Sequence, residues 1–230
     1  MSRAARILEW TIGPDVLDVG CAGHSPEPSD PSWVHGALRR SFTNVWGIEF
    51  DPALIGELNA AGIENVVKAD AQSFELDRLF DTVVAGEIVE HLENPAGLLE
   101  SAKKHLKPGG RIVLTTPFPF GLLHYTYALL RFPETCSNPQ HTLWLCPTTF
   151  QVLAERCGLR VVHWEMLRDY PRGVQSPWYK LLRGFIRVAG RIIPRRLSAT
   201  TMLFVVVPAS EEFDEGHALL AGVGRSQTGG

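Results

Sequence analysis

Short apolar runs alternate with amphipathic stretches from the start of the sequence, and this alternation constrains the fold more than any other feature. The first five apolar runs are Val16–Val19, Val45–Ile48, Asn65–Lys68, Thr82–Ala85 and Arg111–Thr115. Two stretches between them, Pro52–Ala61 and Pro95–Leu106, have the periodicity of helices, and the second meets the helix-breaking sequence Lys107–Gly110. Strands and helices in this order predict a parallel sheet with right-handed crossovers. The sequence therefore predicts a doubly wound α/β fold.

The second half of the chain adds a helix and two strands to this pattern. A helix is predicted over Pro147–Cys157, and strands are predicted over Leu159–Met166 and Met202–Val207. Together with the earlier runs, these strands predict a mostly parallel sheet of seven strands. The predicted domain spans residues 1–208, and residues 209–230 are predicted to form a flexible tail.

Two segments interrupt the regular pattern and are predicted to cover a substrate. Residues 118–146 are aromatic and contain prolines, which is typical of a lid or a pocket wall. Residues 170–201 form an insertion before the last strand, and within it the apolar residues of 178–193 recur at helical spacing, opposite basic residues. This basic amphipathic helix is either a lid packed on the domain or a contact with a membrane surface or a partner.

Charge is distributed unevenly along the chain, although the total is close to neutral. The sequence carries 22 basic and 25 acidic residues, a net charge of −3. Residues 172–200 contain seven basic residues and no acidic residue, whereas residues 1–171 contain 14 basic and 21 acidic residues. An anionic surface or substrate is therefore expected at the basic segment. The average charge argues against a protein that coats DNA, and nucleic acid is not an expected partner.

Composition excludes several other classes of protein. An apolar fraction of 45% is that of an ordered globular domain and not of a disordered chain. The four cysteines have no CxxC spacing, which is typical of reduced thiols in the cytoplasm. The sequence has no recognisable signal peptide, and no apolar run reaches the roughly 18 residues that span a bilayer. We therefore expect a cytoplasmic protein, peripheral to a membrane if residues 178–193 contact one.

Small and acidic residues follow three successive predicted strands. Gly20 and Gly23 follow the first strand, Glu49 ends the second, and Asp70 follows the third. The carboxyl ends of parallel strands meet at one edge of an open α/β sheet, where ligands bind. At such an edge, glycine allows the backbone to approach a ligand, and a carboxylate can accept hydrogen bonds from ribose hydroxyls. The combination predicts a nucleotide site.

The sequence contains five ordered blocks, LDVGCAG, GIEFDP, KADA, FDTVVAGEIVEHLENP and LKPGGRIVLTTP. They resemble the class I S-adenosylmethionine-dependent methyltransferases, which implies a Rossmann-like fold and residues that bind S-adenosylmethionine. The implied residues are Asp18, Gly20, Gly23 and Gly86 at the methionine end, Glu49 at the ribose, Phe50 against the adenine ring, and Asp70 and Ala71 at the adenine edge. His24 replaces a glycine of the family loop GCGxG, which puts the loop path and the cofactor affinity in question.

Acidic residues and a histidine, Glu87, Glu90 and His91, follow the fourth predicted strand. On a helix these positions share a face, so their side chains are expected to converge, unless they form an acidic first turn exposed to solvent. The motif ExxEH resembles the metal-binding motif of the ubiquinone-pathway O-methyltransferases and of the small-RNA 2′-O-methyltransferases. This resemblance implies that Glu87, Glu90, His91 and His141 bind Mg²⁺, Mn²⁺ or Zn²⁺. Without a metal, His91 or His141 would be a catalytic base.

These features predict an S-adenosylmethionine-dependent methyltransferase that methylates oxygen on a small-molecule or lipid-linked acceptor. One alternative is an RNA 2′-O-methyltransferase, although the chain has no evident RNA-binding module. Another is a catalytically silent cofactor-binding or membrane-adaptor protein, in which the sheet is kept while His24 disrupts the loop. Nothing in the sequence predicts the oligomeric state.

Overall fold

The computed structural model describes residues 2–23, 30–122, 140–169 and 194–211, with positions 125–126, 129, 181, 184–185 and 188. The strands are β1 (Asp15–Val19), β2 (Asn44–Glu49), β3 (Val66–Lys68), β4 (Phe80–Gly86), β5 (Leu106–Pro117), β6 (Leu159–Leu167) and β7 (Thr201–Pro208). They form one seven-stranded sheet in the order β3–β2–β1–β4–β5–β7–β6. Strand β7 runs opposite to the other six strands, so its pairings with β5 and β6 are antiparallel and the other pairings are parallel. The predicted doubly wound, mostly parallel seven-stranded sheet is confirmed.

The numbered helices are α1 (Arg3–Trp10), α2 (Val34–Ser41), α3 (Pro52–Ala60), α4 (Pro95–Lys104), α5 (Pro147–Arg156) and α6 (Arg195–Ser198). Two of them begin with the same local sequence, a polar capping residue followed by proline at the first helical position. Asp51 accepts a hydrogen bond from Ala53 N (2.8 Å) at the start of α3, and Asn94 accepts one from Gly97 N (3.1 Å) at the start of α4.

Neighbouring residues on the central strands pack on opposite faces of the sheet, as the period of two requires. Leu17 of β1 and Val83 of β4 belong to the core that includes α4 and α5. Val16 and Val84 belong to the core on the other face, which includes α1 and α2. All four side chains are fully buried. Both faces are therefore covered, and ligands can reach the sheet only at its edges.

One predicted boundary was wrong, because the sequence Lys107–Gly110 does not end a helix. Helix α4 ends at Lys104, and residues 107–110 lie within β5. Phe80 pairs with Leu106 and Thr82 pairs with Arg111, so the intervening residues of β5 bulge out of register. Lys107 Nζ lies between the carboxylates of Asp15 and Asp81 and ties this bulge to the sheet.

The predicted lids, 118–146 and 170–201, are described only in part, and most of the predicted tail lies outside the described residues. The beginning of one lid meets the end of the other, since Phe118 N donates a hydrogen bond to Thr200 O (2.8 Å). Of the predicted helix 178–193, the described positions 181, 184–185 and 188 are helical. Among the described residues, no helix is both long enough and apolar enough to cross a bilayer.

Candidate active site

The strand order reverses between β1 and β4, and the loop after β1 lies at this switch point. Gly20 and Gly23 both adopt positive φ, 73° and 62°, which glycine adopts readily and residues with a Cβ adopt only rarely. Gly20 N donates a hydrogen bond to Ile48 O (2.9 Å), and Gly23 N donates to Gly20 O (3.2 Å). The loop therefore turns tightly over the carboxyl ends of β1 and β2.

Asp18, on β1 just before this loop, is buried and does not reach solvent. Its Oδ2 lies 3.1 Å from Nδ1 of His35, the second residue of α2, and His35 is also buried. Trp33 Nε1 donates a hydrogen bond to Cys21 O (2.9 Å) within the loop. Residues around the start of α2 therefore hold both Asp18 and the loop in place.

The carboxylates predicted at the ribose and at the adenine edge lie at the ends of neighbouring strands. Glu49 Oε2 accepts a hydrogen bond from Ala22 N (3.3 Å), which joins the end of β2 to the loop after β1. The ring of Phe50, the next residue, is 68% exposed and leaves an apolar surface beside Glu49. Asp70 follows β3, and its Oδ1 accepts from Gln72 N (2.9 Å). The half-buried Ala71 lies between these two residues.

Two polar side chains and the apolar Ile7 lie near Gly86, the last residue of β4. A Cβ at Gly86 would lie 3.9 Å from Arg3 Nη1 and 3.9 Å from Thr115 Oγ1. Arg3 Nη1 and Glu87 Oε1 are buried, make no hydrogen bond and lie 3.8 Å apart. Burial raises the pKa of Glu87, and the Arg3 guanidinium opposes that rise. A hydrogen-bond donor, Arg3 Nη1, and an acceptor of opposite charge, Glu87 Oε1, therefore lie near the end of β4, where Gly86 has no side chain.

The expectation that Glu87, Glu90 and His91 share one helix face was wrong. Glu87 has φ of 56°, and only Val89–His91 form a short 3₁₀ helix. Because the chain turns at Glu87, this carboxylate lies beside Arg3. The alternative of a solvated acidic turn was also wrong for Glu90, which is 1% exposed. Strained backbone of this kind is found at functional sites.

Glu90, His91 and His141 form a separate group, and one potential ligand atom from each lies within 4.8 Å of the others. The group does not include Glu87, the fourth ligand that the motif implied. The two imidazole rings are nearly perpendicular, with their centroids 4.8 Å apart. Thr142 N donates to Glu90 O (2.8 Å), which brings the segment of His141 against the segment of Glu90.

The environment of Glu90 fits a divalent cation. Thr116 Oγ1 donates to Glu90 Oε2 (3.1 Å), while Glu90 Oε1 is buried and makes no hydrogen bond. Burial, and secondarily the carboxylate of Glu87, raises the pKa of Glu90 to about 8. A cation at Oε1 would favour the ionised carboxylate and supply the missing partner. Oxygen and imidazole ligands together suit Mg²⁺, Mn²⁺ or Zn²⁺.

A family model described as a methyltransferase domain matches residues 5–164, which is more than half of the chain. The chain belongs to this methyltransferase-domain family. The ubiquinone biosynthesis O-methyltransferase of Xylella fastidiosa (strain 9a5c) is 31% identical over 111 residues, which cover 45% of this chain and 42% of that protein. The chain thus spans less than half the length of this curated relative.

Solved structures have the same fold as this methyltransferase domain. A SAM-dependent methyltransferase from Archaeoglobus fulgidus superposes with a TM-score of 0.58 at 20% identity, covering 89% of this chain and 90% of that chain. The glycopeptide N-methyltransferase MtfA, complexed with S-adenosyl-L-homocysteine, superposes with a TM-score of 0.58 at 16% identity, covering 89% and 85%. At these identities the likeness concerns the fold alone, and it confirms the Rossmann-like architecture.

Sequence reasoning missed three residues that shape the site of this methyltransferase domain. Arg3 reaches Gly86 from the first turn of α1. At the start of α2, Trp33 contacts Cys21 in the loop after β1, and His35 contacts Asp18 on β1. No local pattern marks them, because each contact joins residues that are distant in sequence. The available signal was the residue types: α1 places an arginine ahead of the first strand, a tryptophan precedes α2, and a histidine is the second residue of α2.

Proposed function

We propose that this methyltransferase domain, spanning residues 1–208, transfers a methyl group from S-adenosylmethionine to an oxygen atom of a small-molecule or lipid-linked acceptor. The observation that carries the proposal is that glycines and carboxylates at the ends of β1, β2 and β3 lie beside the group of the buried Glu90 and the half-buried His91 and His141, which follows the adjacent strand β4. S-adenosylmethionine supplies an electrophilic methyl group on a sulfonium. The chain has to hold this cofactor and present an acceptor atom in line with the methyl.

The surroundings of Gly86 match the amino-acid end of the cofactor. That end carries a carboxylate and an ammonium group, and the half-buried side chains of Arg3 and Glu87 offer the complementary charges. Gly86 has no side chain, and no atom lies closer than 3.8 Å to the place that a Cβ would take there. Binding there would satisfy two buried polar atoms that otherwise make no hydrogen bond.

The ends of β2 and β3 match the adenosine part of the cofactor. The Glu49 carboxylate has capacity for ribose hydroxyls beyond the backbone hydrogen bonds that it accepts. The exposed ring of Phe50 suits stacking on adenine, and the carboxylate of Asp70 suits its exocyclic amine. Ala71 would contribute its backbone at the same edge.

The group of Glu90, His91 and His141 supports oxygen as the methylated atom. A hydroxyl is a weak nucleophile and needs a base or a metal ion. These three residues would hold a divalent cation, which lowers the pKa of a coordinated hydroxyl; without a cation, His91 or His141 would accept the proton. The name of the Xylella fastidiosa relative agrees with oxygen as the acceptor atom.

Cofactor binding is tested by calorimetric titration with S-adenosylhomocysteine, which binds without reacting. We expect wild-type protein to bind at micromolar concentrations, and Glu49→Ala to weaken the affinity about tenfold, because it removes a charged hydrogen-bond acceptor. Glu57→Ala removes an exposed carboxylate on α3 and is the matched control. Absence of binding by the wild-type protein would contradict the proposal and support the silent-adaptor alternative.

The acceptor is tested by incubating purified protein with labelled S-adenosylmethionine and separate extracts of lipids, small metabolites and RNA. We expect label in the lipid or small-metabolite fraction, bound through oxygen. Label confined to 2′-hydroxyls of RNA would support the alternative RNA 2′-O-methyltransferase. Label on nitrogen would contradict O-methylation while leaving methyl transfer intact.

We further propose that the protein docks on anionic membranes through the predicted helix 178–193. Its described apolar positions Leu181, Phe185 and Val188 recur at helical spacing and are 65%, 65% and 66% exposed. Arg195 and Arg196 of the following α6 are exposed as well, in a segment that has no acidic residue. Apolar and basic side chains in this combination favour a membrane surface.

Membrane docking is tested by sedimentation with vesicles of phosphatidylcholine and phosphatidylglycerol. We expect binding that weakens with salt, and Leu181→Ser/Phe185→Ser is expected to lower the vesicle affinity about tenfold. Val152→Ser, which alters a 43% exposed residue of α5, is the control. No binding by the wild-type protein, or an equal loss in the control, would contradict docking and favour a lid.

A further inference from the structure

Two residues at the start of helix α2 contact the loop after β1 and the strand before it. Helix α2 starts at Val34, and the structure describes the loop after β1 as far as Gly23. Trp33, the residue before α2, donates its indole N–H to Cys21 O (2.9 Å). The loop is therefore supported by side chains of a segment that follows it.

His35 contacts Asp18, one of the residues proposed to bind the cofactor. Its Nδ1 lies 3.1 Å from Asp18 Oδ2, and the two residues are 0% and 3% exposed. A carboxylate oxygen accepts hydrogen bonds, so the pair forms in the tautomer in which Nδ1 carries the proton. Gly47 of β2 leaves room for the imidazole, since a Cβ there would lie 3.1 Å from His35 Cε1.

We propose that His35 is a positioning residue for S-adenosylmethionine, acting through Asp18. The inference rests on the proposed function and adds a residue to it. Leaving a buried carboxylate without a hydrogen bond is unfavourable, so without His35 the Asp18 side chain would change its orientation. Asp18 is two residues before Gly20, where the loop after β1 begins. The hydrogen bond from His35 holds Asp18 in one orientation and keeps the loop after β1 in the conformation that binds the cofactor. Because the loop is already ordered, cofactor binding does not have to include the entropic cost of ordering it.

Two conservative variants test the role by separating the two ring nitrogens. Asparagine at position 35 carries an amide near the place of Nδ1 and can still donate to Asp18, whereas glutamine carries its amide near the place of Nε2. We expect His35→Gln to weaken the affinity for S-adenosylhomocysteine about tenfold, and His35→Asn to stay within about threefold of wild type. In an Asp18→Ala background, His35→Gln is expected to cause no further loss.

His105 provides a control, because it is also buried; whereas His35 makes no hydrogen bond through Nε2, His105 is bonded through both ring nitrogens, to Ser101 O (2.7 Å) and Leu76 N (2.8 Å). His105→Gln is expected to lower the unfolding temperature without changing the affinity. Equal affinities of His35→Gln and His35→Asn, or the same loss in His105→Gln, would overturn the inference while the proposed function stands. Failure of wild-type protein to bind would overturn the proposed function as well.

Discussion

Replacing Glu90 by glutamine is expected to lower the rate of methyl transfer about a hundredfold while the affinity for S-adenosylhomocysteine changes less than about twofold. Glutamine keeps the shape of glutamate, and its amide oxygen can still accept the hydrogen bond that Thr116 donates to Glu90 Oε2. It lacks the charged oxygen that a divalent cation prefers. A loss of rate without a loss of cofactor affinity would therefore locate Glu90 on the acceptor side of the site.

The same variant distinguishes a bound cation from a histidine that acts alone. Wild-type protein stripped with EDTA is expected to lose activity and to regain both activity and thermal stability with Mn²⁺, whereas Glu90→Gln should not respond. Glu93→Gln, which alters an exposed carboxylate of the same segment, is the control and should behave as wild type. If stripped wild-type protein keeps full activity, the metal role is wrong. In that case, inactivity of His91→Gln or His141→Gln would identify the base.

The sheet and the loop after β1 could be predicted because their signals are local. An apolar run that stops at a glycine or an acidic residue marks both a strand and its carboxyl end, as at Val19 and Glu49. Since parallel strands bring these ends to one edge, the sequence places Asp18, Glu49 and Asp70 near one another without any knowledge of tertiary contacts.

The acid–histidine group could be predicted only in part, because backbone conformation there departs from the helical pattern. Nothing in the sequence indicates that Glu87 adopts positive φ, which few residues other than glycine do. This conformation accompanies the pairing of Glu87 with Arg3, a residue 84 positions away that no periodicity connects to it. The grouping of Glu90, His91 and His141 was expected from a resemblance, and the structure brings these residues close together.

Adding one methyl group at Gly47 is expected to weaken the affinity for S-adenosylhomocysteine about thirtyfold, or roughly 2 kcal/mol. A Cβ at Gly47 would lie 2.5 Å from Cys21 Sγ and 2.9 Å from Cys21 Cβ. Cys21 is 1% exposed, so its side chain has no free space to enter. Because Cys21 follows Gly20 directly in the loop after β1, the collision in Gly47→Ala is expected to displace the loop itself.

Gly110, a crowded glycine at the opposite edge of the sheet, provides a control that distinguishes a loss of cofactor affinity from a general loss of stability. A Cβ at Gly110, near the beginning of β5, would lie 2.8 Å from Lys107 O, so Gly110→Ala should lower the unfolding temperature without changing the cofactor affinity. In Cys21→Ala/Gly47→Ala the contact with Sγ is gone, and part of the affinity should return. Wild-type affinity in Gly47→Ala, or an equal loss in Gly110→Ala, would contradict the view that the packing of Cys21 against β2 sets the shape of the loop.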